Sequence, residues 1–278
     1  MPLFDRIINV QVGGKLFPNN LRITFDIVKT NQSVCNSASI TIYNLSEDSR
    51  NQIRELDDDI VVNAGYREYG GPKLVFTGNI LRVNHTYNLP DIMTKIEGGD
   101  GIKALREKRQ SVSFEEDTSV KDVLGKVASN MGMVIRELPQ DIEGQYAQGF
   151  SHVGSVKEGL DKVCQRVGAI WSVQDNELQI TKDNSASVHA PIKIARVDGL
   201  LEKLERLGDA RKFLADSDAA INSGYRFRTL LNPDIQPGRK ITLGDQGSFR
   251  VERVQHQGDN FENDFISIVE VKELSNNE

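Results

Sequence analysis

Leu230-Leu231-Asn232-Pro233-Asp234-Ile235-Gln236-Pro237-Gly238-Arg239-Lys240-Ile241-Thr242-Leu243 is the stretch on which the reading of this chain turns. Pro233 and Pro237 each fix φ within one tight excursion, and Gly238 supplies the backbone freedom to leave it. Beyond the turn, Ile241 and Leu243 alternate with Lys240 and Thr242, the period of a half-buried strand. The same grammar continues through Gly247-Ser248-Phe249-Arg250-Val251-Glu252-Arg253-Val254 and His256-Gln257-Gly258-Asp259, and an apolar run follows at 265–271. Upstream, Tyr225 and Phe227 face one way and Arg226 and Arg228 the other. The C-terminal region therefore reads as antiparallel β from Gly224 onward. Before it, leucines at 200, 201, 204 and 207 form a short helical stripe, 208–223 reads as a long loop, and polar 182–187 as a linker.

The first hundred residues carry the same signature. Leu21, Ile23, Phe25 and Ile27 alternate with Arg22, Thr24 and Asp26, and Ala38, Ile40 and Ile42 with Ser39, Thr41 and Tyr43. Gly13-Gly14 and Asn19-Asn20 supply residues that tolerate positive φ at turns. Ser46, followed by Glu47 and Asp48, predicts a capped short helix running through Arg50, Ile53 and Leu56. Strands are expected at 60–66, 74–83 and 92–97, the first two separated by Tyr69-Gly70-Gly71-Pro72. Gly98-Gly99-Asp100-Gly101 marks a boundary.

The middle changes period. Val120, Val123, Leu124, Val127, Ala128 and Met131 fall at helical spacing and Gly132 sits at the C′ position. Val156, Leu160, Val163, Cys164 and Val167 repeat this after Ser155, ending at Gly168. Each helix runs into an apolar strand, Met133-Val134-Ile135 and Ala169-Ile170-Trp171. Residues 119–132 and 155–168 share seven of fourteen positions without gaps, which suggests a helix–strand unit used twice. Asp175-Asn176 reads as the turn of a hairpin. The expected class is α+β and β-dominated, with domains at 1–100, 101–187 and 188–278.

Composition narrows the function. Hydrophobic content of 38% and charged content of 27% suit a folded domain rather than a disordered one. No apolar run approaches the roughly 20 residues of a membrane span, and Met1-Pro2-Leu3-Phe4-Asp5-Arg6 lacks the pattern of a secretion signal. A protein made and folded in a cytoplasm is expected. Cys35 and Cys164 are too few for a disulfide framework or a cysteine-only zinc site. The net charge of −6 is evenly spread, with 10 basic against 12 acidic residues in 1–100, 11 against 12 in 101–182 and 13 against 16 in 183–278. No segment has the basic excess that sequence-specific nucleic-acid binding requires.

Catalytic chemistry finds little support. His85, His152, His189 and His256 form no HxH or HExxH pair. Ser151-His152 lies in no nucleophile elbow, and the glycines at 98, 99 and 101 match neither GxGxxG nor a P-loop. Asp57-Asp58-Asp59 lacks the spacing of a calcium loop and reads as a cap at a helix-to-strand junction. A glycosidase needs only two carboxylates, and 40 acids are present. Aromatic residues amount to only 6%, however, and the single tryptophan, Trp171, falls in a core strand. Arg226 and Arg228 read as a solvated or interface face. No catalytic, cofactor-binding or metal-ligating residue is assigned, and no cofactor is expected.

The succession 230–243, 247–254 and 256–259 resembles baseplate (tail) hub proteins of contractile-tailed bacteriophages and related phage-like tails. Ala38-Ser39-Ile40-Thr41-Ile42-Tyr43-Asn44-Leu45-Ser46, the short helix and Val62-Asn63-Ala64-Gly65-Tyr66-Arg67 resemble the start of such hubs. The central helix–strand pair is similar to the family's α/β insertion, and only 200–222 departs from the pattern. The resemblance implies two tube-like antiparallel β-barrel domains flanking a small α/β domain. It implies a homotrimer forming a pseudo-sixfold ring between a hexameric tail tube protein and a trimeric central spike protein, with possible contacts to the tape measure and other baseplate proteins. DNA would pass through a channel, without sequence-specific binding and without a membrane. The expected location is the virion tail baseplate, assembled in the bacterial host cytoplasm. A tail-associated cell-wall hydrolase and a sixfold tail-tube or tube-initiator protein are the alternatives.

Overall fold

Alternating side chains build the first seven strands of the computed structural model, which describes residues 5–53, 58–139, 142–182, 185–187, 189–196, 199–202, 204–207, 224–262 and 264–274. β1 (Arg6–Val12) turns through Gly13 and Gly14, both at positive φ, into β2 (Lys15–Phe17). β3 (Ile23–Thr30) and β4 (Ser37–Tyr43) bury every second residue. α1 (Glu47–Gln52) is capped by Ser46, whose side chain accepts from Ser49 N. It is shorter than its sequence pattern suggests, because Ile53 closes it as the C-cap and is itself buried. Leu56 lies outside the described residues. β5 (Asp59–Tyr66), β6 (Gly71–Asn88) and β7 (Asp91–Gly99) follow as an antiparallel meander. Asn19-Asn20 forms the expected turn, closed by Leu21 N donating to Pro18 O, without either residue taking positive φ. Asn19 instead uses its amide to stitch the loop to β1, accepting from Ile8 N at 2.8 Å and donating to Arg6 O at 3.1 Å.

The α/β unit comprises α2 (Ile102–Glu107), β8 (Arg109–Phe114), β9 (Thr118–Ser119), α3 (Val120–Ser129), β10 (Val134–Glu137), β11 (Gln145–Tyr146), β12 (Phe150–Ser155), α4 (Val156–Arg166), β13 (Ala169–Gln174) and β14 (Glu177–Lys182). Ser119 and Ser155 cap their helices in the same way, each accepting from the backbone three residues on. Asp175 and Asn176 both adopt positive φ, as a tight hairpin turn demands. β14 lies between the strands of the two helix–strand units, parallel to β10 and antiparallel to β13.

The last region contains β15 (Ile192–Ile194), β16 (Glu205–Leu207), β17 (Gly224–Leu230), β18 (Lys240–Leu243), β19 (Ser248–Asp259) and β20 (Phe265–Glu273). The leucine stripe at 200–207 is not a helix over its described residues. Leu200 bridges Thr229, Leu201 N and Glu202 N donate to Arg228 O, and β16 pairs with β17. Leu200 and Leu204 still reach the apolar core, so extended backbone satisfies the same leucines while completing the ladder of β17. The loop expected at 208–223 lies outside the described residues.

The first and last regions share one sheet, ordered β16-β17-β20-β19-β3-β4-β7-β6-β5-β1-β2, with β18 on β19 and β15 on β18. The seam is β3 against β19, in antiparallel register from Thr24↔Asp259 to Thr30↔Arg253. This is a β-dominated α+β fold, and within one chain the described part of the sheet stays open. Among the described residues three separate apolar cores form, around Ile40 and Phe76, around Leu160 and Trp171, and around Phe227 and Val269.

Candidate functional site

Two features of the fold carry chemistry beyond packing: a buried polar junction beneath the α/β unit and the polar face of the large sheet. The junction begins with β3. Its buried face runs Ile23, Phe25, Ile27, and then places Lys29 where a fourth aliphatic residue would fit. Lys29 Nζ reaches Asp175 Oδ1 at 2.6 Å, and both side chains are at most 3% exposed. Gln236 Nε2 donates to the other oxygen of Asp175 at 3.0 Å. The hairpin turn of the α/β unit is thereby tied both to the seam strand and to the Pro233–Pro237 turn.

A second cluster lies alongside. The Asp100 carboxylate accepts from Asn36 N at 2.8 Å and Asn36 Nδ2 at 2.7 Å, and Asn36 Nδ2 also reaches Val173 O. Burial pushes the Asp100 carboxyl up to about 7 against the pull of those donors. His256, on β19 beside the seam, is fully buried with Nδ1 2.9 Å from Ser267 Oγ. Burial, helped by the charge of Lys29, lowers it to about 3, so the ring is neutral at ordinary pH.

The turn at 232–238 is scaffold. Asn232 Oδ1 accepts from Asp234 N, Ile235 is buried, and Gly238 at φ +83° donates to Val251 O. A Cβ on Gly238 would stand 2.0 Å from Gln179 Nε2. The 256–259 corner is similar. Gly258 lies flat against the Phe25 ring, and Asp259 accepts from Phe261 N, Glu262 N and Arg22. Burial works to raise the Asp259 carboxyl, and these donors outweigh it and hold it below the usual range.

The sheet face opposite the apolar cores is polar. Register puts Thr24, Asp26, Ser39, Thr41, Lys95, Glu97, Arg253 and Gln257 on it. Asp26 accepts from Gln255 Nε2 at 2.8 and 2.9 Å and from Gln257 Nε2 at 3.2 Å, with its carboxylate held by amides. Three cations of this face are paired: Arg82 and Lys95 with Glu97, and Arg253 with Glu270.

The residues weighed from sequence stay apart. His85 meets Thr94, and His152 turns inward to Ser155 O. Arg228 pairs with Glu202, and Trp171 packs in the α/β core with Nε1 on Asp161. Asp59 accepts from Asn79, while Asp57 lies outside the described residues. Among the described residues no cluster of His, Cys, Asp and Glu could hold a metal ion, and no helix is long and apolar enough to cross a membrane. Sequence reasoning missed Lys29 and Asp100. The signal for Lys29 is a lysine at the fourth inward position of an otherwise apolar face; the sequence around Asp175 signals only a turn.

The family model described as Baseplate hub gp41 matches residues 6–237. No curated protein sequence matches the chain. Among solved structures, the 43 kDa tail protein of prophage MuSo2 from Shewanella oneidensis superposes with a TM-score of 0.66 at 11% identity, over 96% of this chain and 97% of that one. A tail protein from Neisseria meningitidis gives 0.65 at 15% identity, over 97% of each chain. An Escherichia coli component of the type VI secretion system, described as structurally similar to T4 bacteriophage tail proteins gp27 and gp5, gives 0.62 at 10%, over 96% of this chain and 77% of that one. Likeness at these identities is likeness of fold.

Proposed function

We propose, from the premise that this chain belongs to the baseplate hub gp41 family, that three copies form a pseudo-sixfold ring joining a hexameric tail tube to a trimeric central spike. One observation carries the reading. The run β6-β7-β4-β3 meets the run β19-β20-β17-β16 edge to edge at the β3–β19 seam. Each chain thus offers two four-stranded groups side by side, and three chains would offer six, the number needed to face a sixfold tube. The run ends in open edges. β16 pairs only with β17 among the described residues, and β6 passes from β5 to β7 at Asn79, leaving 81–88 paired on one side. Those edges suit pairing between neighbouring copies.

In this arrangement 1–100 and 188–278 are the two tube-like parts and 101–187 is the insertion. The polar sheet face would line a channel. Arg82, Lys95 and Arg253 are engaged by carboxylates, which weakens the hold that this face would have on DNA phosphates. The role is binding and not catalysis, with the tube protein, the spike protein and other baseplate components as partners, and assembly in the host cytoplasm. The test is the copy number of the ring. Light scattering of the purified chain and electron cryomicroscopy of assembled tails should both give three; six or one in assembled tails would contradict the reading.

A further inference from the structure

We infer that the α/β unit is a separable body, seated on the large sheet through a polar and hydrated interface, which lifts from its seat while both β cores stay folded. The inference deepens the hub reading by giving the subunit a moving part, but it depends only on how the unit is mounted. The three-stranded sheet of the unit has two unlike faces. Trp171, Val173, Leu178 and Ile180 point to α3 and α4 and make the unit's own core. The other face presents Ser172, Gln174, Gln179 and Thr181, every one of them at most 4% exposed. A sheet face buried against the rest of a chain is ordinarily apolar; on this one the fully buried positions are polar, and the apolar side chains that share the face, Ile170 and Val134, are half-buried and exposed.

What it meets is polar too. Gln174 Nε2 donates to Thr30 O, Ser33 Oγ to Trp171 O, Gln179 Nε2 to Pro237 O, and Asn36 bridges Asp100, Val173 O and Gln174. Lys29 and Asp175 form the clasp at the hairpin turn. The seat is also incompletely satisfied. Both amide atoms of Asn31, Thr30 Oγ1 and Thr181 Oγ1 are buried without a hydrogen-bond partner. Orphaned donors and acceptors gathered at one interface mark positions for bridging water. Apolar burial resists opening in proportion to area, whereas these groups exchange protein partners for water at little net cost. The three apolar clusters are separate, so separating the unit from the sheet exposes none of them. Arg250, donating to Lys182 O and Ser185 O, anchors the returning chain, while the entering chain at Gly101 is held beside the clasp through Asn176, so both tethers stay in place when the seat opens.

Thiol trapping on the full chain tests this. Ser172→Cys in a Cys35→Ser background puts one thiol in the seat, and native Cys164, in the unit's own core, serves as the internal control. Seat opening predicts that Cys at 172 is modified at least ~100-fold faster than Cys164 in the absence of denaturant. Its rate should change little with low concentrations of urea, whereas Cys164 should show the steep dependence of unfolding. Thr181→Cys is the second reporter should the first variant fold poorly. Adding Lys29→Met should accelerate the seat thiol, which should remain the faster-modified of the two although Cys164 is also speeded by the loss of overall stability. Equal rates and equal urea dependence for the seat thiols and Cys164 would overturn the inference.

Discussion

Replacing Lys29 with methionine removes one charge of the buried pair and keeps the bulk of the side chain. The remaining Asp175 carboxylate would be 3% exposed with Gln236 as its remaining side-chain donor. Breaking a buried ion pair from one side costs about 3–5 kcal/mol, because the surviving charge is left desolvated. With an unfolding entropy of ~2.1 cal/mol/K per residue, a 278-residue chain melting as one unit would lose about 5–9 °C. The double variant Lys29→Met/Asp175→Asn removes both charges. Asn accepts the positive φ of position 175, so it should recover to within ~1–2 kcal/mol of the parent. Urea denaturation of the parent, both single variants and the double variant completes a thermodynamic cycle; with a loss of that size in each single variant, the expected coupling is about 4–9 kcal/mol. A Lys29→Met loss below ~1 kcal/mol, or a double variant no more stable than the single, would refute the reasoning.

Stability should depend on pH through two opposed groups. Asp100, raised to about 7, holds its proton in the fold where the unfolded chain has lost it, so its contribution weakens as pH rises from about 4 to 7. His256, lowered to about 3, refuses a proton the unfolded chain accepts, so its contribution weakens as pH falls from about 6.5 to 3. Urea midpoints across this window should be nearly flat for the parent and should fall with acidification in Asp100→Asn; parallel profiles would exclude the Asp100 assignment. Gly238→Ala should cost about 1–3 kcal/mol by calorimetry, from positive φ and the collision with Gln179. Ser155→Ala removes the cap of α4 and its reciprocal bond with Glu158, for a loss of about 1 kcal/mol in the same assay.

Much of this fold was legible because its elements obey their local rules. β3 and β4 alternate cleanly, Ser46 and Ser155 cap helices, Gly132 and Gly168 end the paired helices at positive φ, and Asp175-Asn176 turns a hairpin. Each is decided by neighbours in sequence. The leucines at 200–207 were misread because their spacing fits a helix and their strand partner, Arg228, is far away in sequence. The seam between β3 and β19 is equally remote, a pairing that no local pattern announces. The junction was hidden for a different reason. Lys29, Asn36, Asp100 and Asp175 are polar residues that composition assigns to the surface, and only their convergence, with half-buried Gln236 completing it, makes burial tolerable. The turns at 232–238 and 256–259 carried the family resemblance, and the structure shows why as backbone: a glycine in each that another side chain occupies closely.

The central claim is that two four-stranded groups per chain make a threefold ring with sixfold character. A reconstruction of the tail tip, computed without imposed symmetry, tests it most directly. Three copies are expected in one layer between tube and spike, their β16 and β6 edges adjoining. A layer of six copies, or a single copy bound off the axis, would contradict it.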